Sequence, residues 1–496
     1  MIREIYDEIV SQVEVRKNLI DLKQEIKDEN NKRALLFMLG SDYSIFYELL
    51  SSEDPKIRKN TALIMGELGK NEFLIPLFES YNKETQLFVK SSYLTAISLL
   101  NYIEILSDLK ATLDHLTNGE IEESNKKHIE EQIRVLNNMI IMIEKPQPHT
   151  FTGYNILSDI VLITNRNHKH ITAAQIKDGK HKEINAGVYV KTENIKEILS
   201  IRTYSEFLFM LPGVSAMKAD AGEIGKKLLK SNLLEFITAR HKGKAPFYFR
   251  IDLKNKMDLD KKSTFAKKIA IGIERLSKRQ LINSTSNYEL EIRLIENKAG
   301  DYHVLLKLHT LKDTRFEYRK NTIAASIHPV NAALIVHLAE KYLKEDAQIL
   351  DPFCGVGTML IERNKLVKAN PIYGLDIFGE AIVKARENAK FDHTLINYIN
   401  RDFFDFKHEY EFDEIITNLS MRGTRKSEND IYNLYHKFFK QAGTVLKDEG
   451  KIILYTNEKS YVKDCITKDK QYKVLEVFEI NKKEGTYLYI IHYQKI

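Results

Sequence analysis

Cysteine is nearly absent: Cys354 and Cys465 are the only two in 496 residues. That excludes a disulfide framework and a cysteine-rich zinc centre, leaves no metal site to expect, and fits a reducing cytoplasm. A run of eighteen apolar residues is also missing, so no membrane-spanning helix is expected. The opening stretch, MIREIYDEIVSQVEVRK, is charged from its third residue. It shows no apolar segment followed by a small-residue cleavage site, so no secretory signal is expected.

Charge of one sign is not scarce, but it is unevenly placed. The net charge of +6 is modest, while the segment from Lys226 to Arg279 holds 16 Lys+Arg against 5 Asp+Glu. The local excess is +11, so the remaining chain sums to −5. Such concentration suits a polyanion-binding module, and equally a solvated helical face on a lysine-rich protein. Hydrophobic content of 43% and charged content of 29% are those of an ordinary globular protein, and the length suggests about three domains.

Residues 1–145 read as all-helical, because apolar residues recur at spacings of three and four without β-branched alternation. Asp54-Pro55-Lys56-Ile57-Arg58 opens one helix, with Asp54 as cap and Pro55 in the first turn. A degraded copy follows at Leu87–Ser92. The pattern resembles a HEAT repeat, whose helix pairs stack to bury their apolar faces; a plain helical bundle is the alternative. Lys145-Pro146-Gln147-Pro148-His149-Thr150 reads as a linker, since two prolines in three residues stop a helix.

From 150 to 320 the pattern becomes α+β. Strands are expected at 159–164, 187–190 and 247–253, with a basic amphipathic helix from Phe265 to Lys278. Leu290–Ile295 and His303–Leu308 read as a hairpin across 297–301. From 325 to 496, strands and helices alternate as in a mostly parallel, doubly wound Rossmann-like sheet. The whole is a multidomain chain: α-helical, then α+β, then α/β.

Asp351-Pro352-Phe353-Cys354-Gly355-Val356-Gly357-Thr358 lies between a strand and a helix. Gly355 and Gly357 let backbone approach a ligand, and the helix N-terminus behind them favours an anionic group. Asp376 ends the next strand, where an acid binds a ribose diol; Asp402 ends the third unit. For each acid a helix cap or a solvated loop carboxylate is the bland alternative. With Ile361-Glu362, the run is similar to the "DPFCGSGTILIE" motif of RNA guanine-N2 methyltransferases, class I S-adenosylmethionine-dependent enzymes. The resemblance implies that Asp351, Gly355 and Gly357 cradle the methionine portion of S-adenosylmethionine. It further implies that Asp376 binds the ribose and Asp402 the adenine, with Phe403 near the ring face, and that Phe353, Thr358, Ile377 and Asn418 complete the pocket. Nothing marks Cys354 as a nucleophile, and Cys465 is expected in a polar C-terminal loop.

Strand four runs into Asn418-Leu419-Ser420-Met421-Arg422-Gly423. In amine methyltransferases this position reads N-P-P-Y or D-P-P-Y. The side-chain amide and the following carbonyl there accept hydrogen bonds from the amine, and the aromatic ring stacks on the base. Asn418 matches the first position; both prolines are missing and Met421 stands where the aromatic ring would be, a polarizable but less specific cover. Arg422 and Arg425 are candidates for phosphate or a guanine edge, or plain surface charge.

The stretch from Phe247 to Leu338 resembles a THUMP domain joined to its methyltransferase. Thr314–Lys320 is similar to the "LHKRGYR" segment of that family, and His328–Leu334 to "APLRENLAAAL". The region from Asp159 resembles the ferredoxin-like domain beside it. This implies RNA recognised by end and shape, with phosphates held on a basic face. Candidate contacts are Lys261, Lys262, Lys267, Lys268, Arg275, Lys278 and Arg279, with Arg315 and Arg319. The expected activity is N2-methylguanosine formation in a structured RNA, tRNA before rRNA, with a protein partner for the helical region. Methylation of another amine or of a protein, and an RNA-binding scaffold with a lapsed enzyme domain, are the alternatives.

Overall fold

Among the residues the computed structural model describes (2–118, 122, 124–145, 149–214, 216–324, 326–419 and 427–496), the first 145 form nine α-helices, from Ile2–Val10 to Lys126–Glu144. Their apolar stripes meet in one core that includes Leu19, Leu22, Phe46, Phe73, Tyr93 and Leu136. The expected cap is present: the Asp54 side chain accepts the Lys56 amide at 2.7 Å, and Pro55 starts the helix Pro55–Leu68. Tyr81 donates to Gln132 at 3.0 Å and Tyr102 to the Met139 carbonyl at 2.9 Å, fastening the long last helix to earlier ones. The two linker prolines fall outside the described residues.

The chain divides into two compact units. The first holds Met1–His149, Met217–Leu234 and Lys244–Glu289; the second holds Thr150–Ala216, Glu235–Gly243 and Leu290–Ile496. The middle region, expected as one block at 150–320, is therefore shared between them.

In the first unit the helices are joined by Ala221–Lys230, the parallel strands Phe247–Lys254 and Leu281–Asn283, and the basic helix Leu259–Leu276. That helix starts six residues before the periodicity indicates, because Asp258 supplies an extended N-cap position ahead of Leu259. It ends at Leu276, and Lys278 and Arg279 lie beyond it with φ of 48° and 61°.

In the second unit an antiparallel sheet runs in the order Lys180–Ile184, Gly187–Thr192, Ser158–Thr164, Tyr204–Met210, Tyr302–Leu308, Leu290–Glu296. The hairpin expected across 297–301 is there, and Asn297 closes its turn by accepting the Ala299 and Asp301 amides at 2.8 and 3.0 Å.

The same unit carries the α/β domain. Its elements are α1 (Pro329–Ala339), β1 (Ala347–Asp351), α2 (Thr358–Leu366), β2 (Ala369–Asp376), α3 (Gly379–Asp392), β3 (Asn397–Asn400), β4 (Phe412–Asn418), α4 (Glu428–Val445), β5 (Leu446–Thr456), α5 (Lys459–Lys468), β6 (Tyr472–Asn481) and β7 (Thr486–Tyr493). The sheet order is β3-β2-β1-β4-β5-β7-β6, parallel except for the final β7, which is antiparallel to both neighbours. The order reverses direction at β1, between β2 and β4, and ligands of open α/β sheets bind at such a switch point beyond the strand carboxyl ends. Cys465, expected in a polar loop, is instead buried on the inner side of α5, because that segment keeps a helical apolar period with Val462.

Candidate active site

The glycine loop between β1 and α2 is held from three sides. Asp351, at the end of β1, accepts the Phe353 amide at 3.1 Å and the Thr417 hydroxyl at 2.7 Å through one oxygen. It is only 2% exposed. Burial pushes its carboxyl up to about 7, the nearby Asp376 adds to the rise, and the two hydrogen bonds oppose it. On the other side, Asn388 of α3 is fully buried; its amide donates to the Val356 carbonyl at 3.1 Å and to the Asn321 carbonyl at 3.0 Å. Glu362 of α2 grips Arg202 with two bonds of 2.7 Å and accepts the Tyr318 hydroxyl at 2.6 Å. Thus α2 is tied to Arg202, just ahead of the strand Tyr204–Met210, and to Tyr318, beyond the strand Tyr302–Leu308. None of Asn388, Arg202 or Tyr318 was evident from sequence, because each acts across a long chain separation.

Both glycines are required by geometry. Gly355 has φ of +53° and opens on space, with Ile323 at 3.9 Å the nearest atom to a Cβ built there. At Gly357, φ is +81° and a Cβ would stand 2.0 Å from the Tyr398 hydroxyl oxygen. Thr358 is buried at the start of α2, with a hydroxyl that has no hydrogen-bond partner. Cys354 is buried too, and burial pushes its thiol well up, so it is no nucleophile.

Asp376 ends β2 and turns back over the loop. One of its carboxylate oxygens accepts the Gly355 amide and the other the Phe378 amide, both at 2.9 Å. A carboxylate has about four lone-pair positions, so acceptor capacity remains for a diol. Ile377 and Phe378 follow it, 60% and 69% exposed, an apolar rim at the same strand end. Asp402 caps the short turn Phe403–Asp405 by accepting the Phe404 amide at 3.0 Å. Phe403 faces the core instead of the loop surface: it is 1% exposed and packs edge-on to Phe353. The ring-face role expected of it is therefore unavailable.

Asn418 is the last residue of β4, paired with Tyr455 of β5. Its side-chain oxygen is buried and has no hydrogen-bond partner. Next to it the Leu419 amide donates to the Tyr455 carbonyl at 3.0 Å, and the Leu419 carbonyl accepts the Tyr435 hydroxyl of α4 at 2.5 Å. Met421, Arg422 and Arg425 lie outside the described residues.

The residues present fit S-adenosylmethionine. Gly355 leaves open backbone that a methionine moiety could approach, Asp376 retains acceptor capacity that a ribose diol could use, and the exposed Ile377–Phe378 rim offers an apolar face of the kind an adenine needs.

The basic residues divide into two kinds. Lys261, Lys267, Lys268, Arg275 and Lys278 are exposed, while Lys262 and Arg279 are half-buried. The helix Leu259–Leu276 buries Ile269, Ala270, Ile273 and Glu274 on its other face. Arg315, expected among the RNA contacts, is instead a structural residue: it is 7% exposed. Its guanidinium pairs with Asp313 at 2.7 Å, donates to the Ile201 and Tyr204 carbonyls and lies 3.6 Å over the Tyr204 ring. Arg319 is half-buried and donates to the Ile327 carbonyl at 3.1 Å. Among the described residues no group of acids, histidines and cysteines is placed to hold a metal, and no helix is long and apolar enough to cross a membrane.

Residues 317–485 match the family model UPF0020, RMKL-like, methyltransferase domain. Over 94 residues the chain is 30% identical to the ribosomal protein L11 methyltransferase of Polynucleobacter necessarius, covering 18% of this chain and 28% of that protein. Over 204 residues it is 26% identical to the tRNA (guanine(6)-N2)-methyltransferase of Methanocaldococcus jannaschii, covering 33% of this chain and 52% of that protein. The chain thus spans at most about half the length of these curated relatives. The crystal structure of TrmN from Thermus thermophilus shares the fold, with a TM-score of 0.53 at 16% identity over 68% of this chain and 99% of that chain. Residues 317–485 form a class I, S-adenosylmethionine-dependent methyltransferase domain of the RMKL-like kind.

Proposed function

We propose that the protein methylates an exocyclic amine in structured RNA, forming N2-methylguanosine, with tRNA the favoured substrate. The observation that carries this reading is the unpartnered side-chain oxygen of Asn418 at the carboxyl end of β4, one residue from the Thr417–Asp351 hydrogen bond that anchors the glycine loop. A buried acceptor left unpaired costs about 1–3 kcal/mol, so a ligand donor is its natural complement.

The bound cofactor supplies an electrophilic methyl group on a sulfonium. Asn418 accepts one amine N–H and so fixes where the nitrogen lone pair points. Held near Gly355 and Asp376, the cofactor would supply its methyl group to that lone pair and keep the electron pair of the C–S bond, and the amine's surplus proton would pass to solvent after transfer. Alignment and exclusion of solvent provide most of the rate.

The exposed cations of the helix Leu259–Leu276 support RNA binding through phosphates, in keeping with the THUMP-like reading of the region from 150 to 320. In residues 1–145 the Asp54–Pro55 helix start supports the HEAT-like reading, and a stack of such helices offers a surface to a protein partner. The matching tRNA methyltransferase supports the RNA substrate. A protein acceptor is the second reading, favoured by the ribosomal protein L11 methyltransferase match and by an acceptor loop without prolines.

The test is methyl transfer from labelled S-adenosylmethionine to tRNA and to ribosomal proteins in parallel, followed by nucleoside mass spectrometry. N2-methylguanosine in tRNA is the expected result. Label in protein alone overturns it in favour of the second reading, and cofactor binding without any transfer favours a lapsed enzyme acting as an RNA-binding scaffold.

A further inference from the structure

A primary amine presents two N–H groups, and a lone pair is fully aimed only when both are held. One acceptor is Asn418. In the N-P-P-Y arrangement the other is the carbonyl of the next residue, here Leu419. That carbonyl already accepts the Tyr435 hydroxyl at 2.5 Å, and Leu419 itself is fully buried.

A second unpartnered acceptor lies at the end of the neighbouring strand. The side-chain oxygen of Asn457 is buried and has no hydrogen-bond partner. Asn457 directly follows β5, two residues beyond Tyr455, which pairs with Asn418. Its flanks are fixed: Thr456 and Glu458 are buried, and the Glu458 amide donates to the Thr456 hydroxyl at 2.9 Å. Tyr435, besides holding Leu419, hydrogen-bonds the Thr456 hydroxyl, so a single ring ties both strand ends together. Two unpaired, buried amide oxygens thus stand at the ends of adjacent parallel strands, on the side where open α/β sheets bind their ligands, and each costs stability while it lacks a donor.

We propose that Asn457 supplies the second amine acceptor, in place of the Leu419 carbonyl, one of whose two lone pairs Tyr435 already takes. Asn418 and Asn457 then bracket one nitrogen and select a primary exocyclic amine over a hydroxyl or a ring nitrogen, which carry at most one hydrogen. This rests on the amine-transfer reading above.

The experiment uses the full chain with tRNA. Asn457→Ala is expected to lower the single-turnover methylation rate at least about tenfold, with cofactor affinity by calorimetry and melting temperature unchanged. Asn457→Asp keeps an acceptor oxygen and should recover most of the rate. In the double variant with Asn418→Ala the losses should fall short of multiplying, because both oxygens serve one nitrogen. A wild-type rate in Asn457→Ala, with Asn418→Ala impaired, overturns the Asn457 role and leaves amine transfer standing. A lower melting temperature, or loss in the Asp variant equal to that in the Ala variant, overturns it in favour of a structural amide. If wild type transfers nothing to RNA amines, the underlying reading fails, and this one with it.

Discussion

Thr417 donates its hydroxyl hydrogen to Asp351 at 2.7 Å, joining the strand that ends in Asn418 to the base of the glycine loop. Both side chains are buried, so water cannot replace the bond. Thr417→Val keeps the shape and removes the donor. It should cost about 1–3 kcal/mol of stability, the scale for stranding a buried polar partner, while Thr417→Ser should cost much less. Thermal melts of the two variants check this; equal melting temperatures would mean that the bond contributes little.

The same carboxyl makes stability depend on pH in an unusual direction. Its folded value, about 7, stands above the ordinary 3.8 because burial disfavours the charge. Between about pH 4 and 7 the folded chain therefore holds a proton that the unfolded chain has released. Asp351's contribution is fully present at low pH and is lost as pH rises through about 7. Asp351→Asn cannot ionise and should flatten the decline in melting temperature over that window. Parallel curves for variant and wild type would show that Asp351 titrates normally.

Asp376 is the ribose ligand we propose. Its oxygens hold the Gly355 and Phe378 amides and retain acceptors for a ribose. Asp376→Ala should weaken S-adenosylmethionine binding by about 1.5–3 kcal/mol, the scale of hydrogen bonds to a charged group. Calorimetry showing unchanged affinity removes Asp376 from the site.

What sequence made legible here is local. Gly355, Gly357 and Asp376 stand at fixed offsets from strands whose apolar runs are short and bounded, so their places at the strand ends follow from chain order alone. The turn at Asn297 and the cap at Asp54 are equally short-range. Asn388, Tyr435 and Glu362 act across the fold, and no spacing reveals that a tyrosine of α4 ends on the carbonyl of Leu419. Charge is ambiguous for the same reason. Arg315 and Lys268 look alike in a basic stretch, yet one is sealed between Tyr204 and Asp313 and the other is exposed. Strand Tyr204–Met210 is not legible in sequence, because a charged residue interrupts a short apolar run and its place between two antiparallel neighbours is set by tertiary pairing.

The basic helix makes a salt-dependent prediction. Each phosphate neutralised changes the logarithm of affinity by about 0.7–0.9 per decade of salt. Lys267→Glu combined with Lys268→Glu should weaken tRNA binding and lower that slope, leaving cofactor affinity unchanged. Binding that is indifferent to salt, or to the double variant, would assign the helix face to solvent instead.

Asn418 should matter for chemistry more than for binding. Its side-chain oxygen has no partner, so Asn418→Ala removes none of the hydrogen bonds of that oxygen in the free protein. Melting temperature and affinity for S-adenosylmethionine and tRNA should stay close to wild type. The single-turnover methylation rate should fall by about 10²-fold, the cost typical of losing one preorganised polar contact to a reacting group. A purely structural asparagine predicts the reverse, a lower melting temperature with weaker cofactor binding and a rate reduced only in proportion. Rapid-quench kinetics on tRNA, with melts run alongside, separate the two. A wild-type rate in Asn418→Ala would sink the amine-transfer assignment, since nothing else at the end of β4 among the described residues offers an unpaired acceptor.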